Sequence, residues 1–288
     1  MATVFRFNND KNEKKYDWTQ LTHESNTPQL ANDFSENDTI WRYYDLSKFI
    51  HFLLSKKLYL TRIDKFQDKY EGELPLEDYL KNMHELLERL SFVNDLKRED
   101  MWSFLEIQNK LPIFASCWHL NPIENFAMWK IYLSTNEGVA IKTKIGDLIS
   151  SIKNPTGLIY GKVNYLDFEK ESISQYCNRM KEMGIRKLPL PCFFKRSYYS
   201  YENEFRVGEI ITANYQSGET YRKDIECLLK TAPKSREYNI ALETLDYEIY
   251  ISPFSSDWFY YTIEKLLKAL NIKIKIHTSK ITNNIEWK

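Results

Sequence analysis

The sequence predicts an α+β fold: one compact domain with a helical insertion. Three observations lead there. Segments that alternate apolar and polar residues are mixed with segments whose apolar residues fall three and four apart, without a regular β-α-β rhythm. Apolar residues make up 43% of the 288, enough for a sizeable core, and with 28% charged residues the composition is that of a folded chain. No internal repeat and no low-complexity linker divides the sequence, and its length lies within the range of a single large unit.

The elements follow in order. Residues 1 to about 38 are polar, rich in Asn, Asp and Thr, and read as an extended arm or cap ahead of a domain at 39–288. In "TIWRYYDLSKFIHFLLSKKLYL", Ser47 can cap a helix carrying Phe49, Ile50, Phe52, Leu53 and Leu54, with a short strand at Leu58 to Leu60. About residues 75–109 space Leu, Met and Phe at three and four, the mark of one or two amphipathic helices. "IFASCW" reads as a buried strand, "IENFAMWKIYL" as a helix, "VAIKT" as a strand after Gly138, and "IGDLISSI" as a short helix. "GLIYGKVNYL" reads as a strand, 168–183 as a helix, and "SYENEFRV" as a strand with Glu202, Glu204 and Arg206 in a row on one face. Last come the strand "DYEIYISP", a helix that Asp257 can cap, and the strictly alternating "IKIKIH".

Composition removes several function classes. Forty basic residues balance forty acidic ones, so no global field draws the chain to nucleic acid or membrane, although a local basic cleft can exist on a neutral protein. Four scattered cysteines form no C-x-x-C pair, which argues against structural zinc. The first twenty residues lack the apolar core of a signal peptide and no stretch could span a bilayer, so a cytoplasmic location without a membrane partner is expected. With eight glycines and no G-x-G-x-x-G, P-loop, G-x-S-x-G or H-E-x-x-H, a glycine-rich phosphate cradle is not expected. The 20 Tyr, 16 Phe and 7 Trp suit a core, and equally suit surfaces that stack on planar rings.

Four stretches carry candidate chemistry. In Trp41-Arg42-Tyr43-Tyr44, Arg42 can fork onto a phosphate or carboxylate while Tyr43 stacks; alternatively the aromatics are core and the arginine is solvated. In "FQDKYEG", Gln67 and Asp68 can fix a loop that Gly72 turns sharply, a structural role. In "FASCWHLNPIENFAMWKIY", Ser116 in a buried strand must bond something, and Trp129 and Tyr132 share a helix face, as core or as a cleft wall. In "SYENEFRV", two carboxylates beside an arginine are either a solvated face or a working edge.

Together these stretches resemble a bacterial family catalogued as domain of unknown function 2971. The resemblance rests on Trp41-Arg42-Tyr43, the turn ending at Glu71, Phe114 to Cys117, Met128 to Tyr132, Gly138 to Ile141, Glu202 to Arg206, and Ile251 to Ser279. The chain departs from the family pattern at Gln67, Lys69 and Trp41. The motif order is in turn similar to that of ADP-ribosyltransferases, which implies a mixed or antiparallel sheet core and NAD as substrate.

By that layout Glu204 stabilises the oxocarbenium-like ribose and Glu202 orients or deprotonates the acceptor. Arg42 and Arg206 hold the cofactor, Ser116 the nicotinamide-ribose end, and Tyr43 or Trp129 stacks, with no metal needed. Glu204 and Glu202 are then expected in one cleft with Arg42 and Ser116. The implied role is a toxin or phage-defence effector, with a single-stranded nucleic acid or protein acceptor and a neutralising antitoxin as partners. The basic-aromatic run "FFKRSYYSY" suits single strands. Two alternatives stand beside it: a nuclease holding Mg²⁺ with Asp64, Asp68, Glu202 and Glu204, and a non-catalytic module in which the glutamates brace Arg206.

Overall fold

A computed structural model describes residues 7–8, 15–16, 34–68, 70–72, 112–155, 157–184, 191–210, 227 and 230–281. Most of the expected arm at 1–38 and the whole helical insertion at 75–109 lie outside the described residues. Two short strands, β1 (Phe7–Asn8) and β2 (Lys15–Tyr16), pair antiparallel.

The rest is a mixed α+β unit around a nine-stranded sheet. Its centre is β5 (Ile113–Leu120), whose run of buried residues needs neighbours on both edges and cover on both faces. On one edge β5 pairs along its length with β10 (Glu204–Ile210), from Glu204 opposite His119 to Ile210 opposite Ile113; β10 then pairs with β7 (Leu158–Lys162). On the other edge β5 has two partners in succession. Its C-terminal end meets β3 (Thr39–Asp45) at Ile40 and Trp41, and its N-terminal end meets β4 (Lys57–Arg62) at Thr61 and Arg62. Beyond β3 the sheet continues through β6 (Gly138–Lys144), β12 (Tyr247–Ile251) and β13 (Ile276–Thr278); beyond β4 it ends at β11 (Ser235–Asn239). All these pairings are antiparallel except β12 with β13. A separate parallel pair joins β8 (Asn164–Leu166) to β9 (Phe194–Arg196).

One face of the sheet is sealed by three helices: α1 (Leu46–Ser55), α3 (Ile145–Ser151) and α5 (Asp257–Ala269). Phe49, Phe52 and Leu53, Ile145 and Leu148, and Phe259, Ile263 and Leu267 pack there on Ile40, Tyr44, Phe114, Trp118, Phe205 and Val207. Burying each large apolar side chain contributes about 1.5–3 kcal/mol, and the helical spacing of these residues is what points them inward. The opposite face receives α2 (Phe126–Tyr132), whose Met128 and Trp129 pack on Trp41, Tyr43 and Ala140. α4 (Ile173–Glu182) follows β8.

Several boundaries differ from expectation for identifiable reasons. α1 starts at Leu46 with Asp45 as its N-cap, so Ser47 lies inside the helix; the Asp45 carboxylate accepts from the Ser134 amide at 2.9 Å instead of capping. α5 starts at Asp257 with Ser256 as N-cap. "GLIYGKVNYL" is two strands, because the Val163 amide turns to the Glu204 carbonyl at 2.8 Å and the chain then pairs with β9. "IKIKIH" is strand only from Ile276, because the parallel ladder with β12 begins there. "SYENEFRV" is strand only from Glu204; residues Ser197–Glu202 form a 3-10 turn.

Candidate functional site

Successive residues of a strand point to opposite faces, so register decides which side chains can meet. Arg206 lies opposite Cys117 and Glu204 opposite His119, whereas Ser116 lies opposite Val207. Val207, Phe205, Phe114 and Trp118 belong to the helix-sealed face. Glu204, Arg206, Cys117 and His119 therefore share the other face, beside α2, and Ser116 does not.

A cluster of charges is built on that face. Arg206, with no exposed surface, donates to both oxygens of Glu204 at 2.8 and 3.0 Å and to the Cys192 carbonyl at 2.8 Å. Lys195, on β9, donates to Glu202 at 2.6 Å and to Glu204 at 3.0 Å. Glu71 comes in from the turn after β4, 3.0 Å from the Lys195 ammonium and 2.7 Å from Arg206. Neither Glu71 oxygen meets hydrogen-bond geometry, so its hold on the two cations is Coulombic. Gly72 makes that approach feasible: its φ is +77°, and a Cβ there would come within 1.9 Å of Ile63 Cδ1. Three carboxyl groups thus face two cations, and all five side chains are buried.

The two neighbouring carboxyls titrate apart. Burial, then the hydrogen bond and charge of Glu204, push Glu202 up to about 8, against the pull of Lys195. Burial would also raise Glu204, but the Arg206 charge, the hydrogen bond from Glu202 and Lys195 hold it well below the usual carboxylate range. Burial would lower Lys195; the Glu204 and Glu71 charges outweigh it and hold the ammonium up. Around the pair, burial and then the Glu204 charge push the Cys117 thiol up. The Tyr165 hydroxyl accepts from the Glu204 amide at 3.0 Å. Burial of its hydroxyl, then the Glu204 and Glu202 charges, push Tyr132 up, yet the residue as a whole is 39% exposed, so it marks the solvent side of the cluster.

The remaining expected residues are elsewhere. Arg42 and Ser116 lie together on the sealed face, so the expected single cleft does not form. The Ser116 hydroxyl accepts from Arg42 Nη1 and, at 3.2 Å, from Trp118 Nε1, while Arg42 Nη2 donates to the Tyr59 carbonyl at 3.3 Å. Arg42 thereby fills the fork where β3 and β4 diverge along β5, flanked by the Tyr44 and Trp118 rings at 5.4 and 5.6 Å. Tyr43 and Trp129 share the face of the cluster, but they pack edge-to-face at 4.9 Å. Trp129 is fully buried and donates to Glu124 at 3.2 Å, so neither ring offers a free face for stacking. The four carboxylates of the nuclease reading also separate. Asp64 pairs with Arg62 at 2.7 Å and Asp68 with Arg196 at 2.7 Å. Among the described residues no group of three or more His, Cys, Asp or Glu is arranged to hold a metal ion.

Residues 128–207 match the family described as protein of unknown function, DUF2971. This is the family that the motifs resemble. The DUF2971 stretch contains Tyr132, Lys195, Glu202, Glu204 and Arg206, and Glu71 and Cys117 join them from outside it. No curated protein and no solved structure matches the chain. Among the described residues no helix is long and apolar enough to cross a membrane. The sequence reading placed Lys195 in a run suited to single strands, whereas its ammonium is buried on Glu202 and Glu204; it passed over Tyr165 and gave Glu71 no chemical role. The available signals were a lysine directly after the apolar run Cys192-Phe193-Phe194, and an acidic residue directly before a turn glycine.

Proposed function

We propose that the protein transfers ADP-ribose from NAD, with Glu202 and Glu204 as its working carboxyl pair. The observation that carries this reading is a pair of buried carboxyls that share the Lys195 ammonium while Arg206 binds Glu204 alone, an asymmetry that separates a proton-transfer group from a fixed negative charge. Glu202 lies on the 3-10 turn at the rim and titrates near 8, where a general base operates efficiently. Glu204 lies behind it and stays ionised, a charge able to stabilise positive charge at the ribose carbon. In the transfer, the ribose–nicotinamide bond breaks and its electron pair leaves with nicotinamide. The acceptor then bonds to the ribose carbon and its proton passes to Glu202. Arg42, Ser116 and Trp129 have no part in this version.

The brace reading also has an observation in its favour, since both Glu204 oxygens are occupied by Arg206 and Lys195. One experiment separates the two. Labelled NAD is incubated with wild type or Glu202→Gln protein in the presence of total RNA or total protein, and label transfer and nicotinamide release are followed. Wild type is expected to transfer label, faster as pH rises through about 8 because only ionised Glu202 accepts a proton. Glu202→Gln should be slower by about 10²–10⁴-fold. Wild type that leaves NAD intact and both pools unlabelled refutes the transferase reading and leaves the brace.

A further inference from the structure

The spacing of Glu202 and Glu204 poses a geometric problem. On a regular strand, residues two apart stand about 6.6 Å from one another, with side chains parallel. Here a single nitrogen, Lys195 Nζ, donates to both carboxyls, at 2.6 and 3.0 Å, so the two side chains converge. The difference is made at Asn203, which takes the left-handed conformation, φ 38° and ψ 65°, between the 3-10 turn and β10. Asn is among the few residues that enter this region readily. The kink turns the chain at Glu202 back on itself and directs its side chain toward Glu204 and Lys195.

The end of β5 and the 3-10 turn together hold this elbow. The Leu120 amide donates to the Asn203 carbonyl at 2.8 Å, and the Asn203 amide donates to the Ser200 carbonyl at 3.2 Å. Asn203 Nδ2 donates in return to the Leu120 carbonyl. His119 Nδ1 lies 2.6 Å from the Glu202 carbonyl. A carbonyl only accepts, so Nδ1 carries the proton; Nε2 is then the acceptor for Asn121 Nδ2 at 3.3 Å. His119 is thus fixed as one neutral tautomer. Burial, only partly opposed by the bond to Glu202 and the Glu204 charge, keeps it uncharged by lowering its pKa.

We infer that His119 and Asn203 are positioning residues that aim the Glu202 carboxyl at Glu204 and Lys195, by clamping the Glu202–Glu204 elbow to the end of β5. The clamp rests on the reading of Glu202 as the proton-transfer group, but its geometry is testable without any activity. The groups that face Glu202 are Glu204 from β10, Lys195 from β9, His119 through its backbone bond, and the Tyr132, Tyr165 and Tyr201 hydroxyls, whose own titration its charge reaches. Releasing the elbow removes the contact with Glu204, the strongest of these.

The test is an NMR titration of the side-chain carboxyls of glutamate-labelled protein, as wild type, Asn203→Ala, Asn203→Gly and His119→Phe, with Glu202→Gln to assign the signal. Wild-type Glu202 should titrate near 8. Asn203→Ala, at an exposed position that leaves the core intact, should bring it down by a full pH unit or more. Asn203→Gly, which re-enters the left-handed region freely, should recover most of that shift. His119→Phe, if folded, should act like Asn203→Ala. A Glu202 titration unchanged in Asn203→Ala overturns the clamp, as does an equal displacement in the Ala and Gly variants. If wild type never consumes NAD while these titrations behave as stated, the transferase reading fails and the clamp stands.

Discussion

Removing Arg206 while keeping its volume, as Arg206→Met, tests whether the cluster is bound as described. Arg206 makes two bonds to Glu204, at 2.8 and 3.0 Å, one to the Cys192 carbonyl at 2.8 Å, and an ion pair with Glu71 at 2.7 Å, and none of its surface is exposed. A buried pair broken by removing one partner costs about 3–5 kcal/mol, because the carboxylate left behind keeps its desolvation penalty. Only Lys195 would remain against Glu71 and Glu204. The cost should depend on pH in a definite direction. In wild type Glu204 is held below its usual 4.5, so its contribution is present above 4.5 and is lost as pH falls through its lower folded value. In the variant, burial acts without its main opponent and raises the Glu204 carboxyl, which then favours the folded state at low pH and loses that advantage as pH rises. The gap between the two proteins should therefore narrow on acidification. Urea unfolding at pH 8 and pH 5 measures it. A loss below about 1 kcal/mol at pH 8, the value of an exposed pair, or an equal loss at both pH values, refutes the description of the cluster.

Two further outcomes follow from the same geometry. Glu202, raised from 4.5 to about 8, contributes stability that is fully present below 4.5 and lost as pH rises through about 8; Glu202→Gln should flatten the stability profile across that window, as read by unfolding midpoints from pH 5 to 9. Ser116→Ala leaves Arg42 Nη1 and Trp118 Nε1 without their common acceptor on the sealed face, so it should cost about 1–3 kcal/mol in unfolding measurements while leaving NAD consumption at the wild-type rate.

Much of the fold was legible in sequence because its signals are local. The spacing of Phe49, Phe52 and Leu53, the apolar run from Ile113, and the repeat along α5 each specify an element and its buried face. Boundaries that depend on a partner strand were less legible: alternation in "IKIKIH" is a property of the segment, whereas the ladder that begins at Ile276 is a property of β12. Of the site, Glu204 and Arg206 could be paired in advance because they are two apart on one strand. Lys195 and Glu71 could not, since each is a single charged residue whose partners are distant in sequence.

The sequence alone therefore determined the fold class, the resemblance to DUF2971 and the Glu-x-Glu-x-Arg row as the place to look. Only the tertiary structure decided which residues share that place. Register put Ser116 opposite Val207 and Cys117 opposite Arg206, a one-residue difference that sends Arg42 and Ser116 to the sealed face. The left-handed turn at Asn203 brought Glu202 back to Glu204. Both are decisions made by pairing between strands and by a single backbone angle, and neither leaves a pattern in the order of residues along the chain.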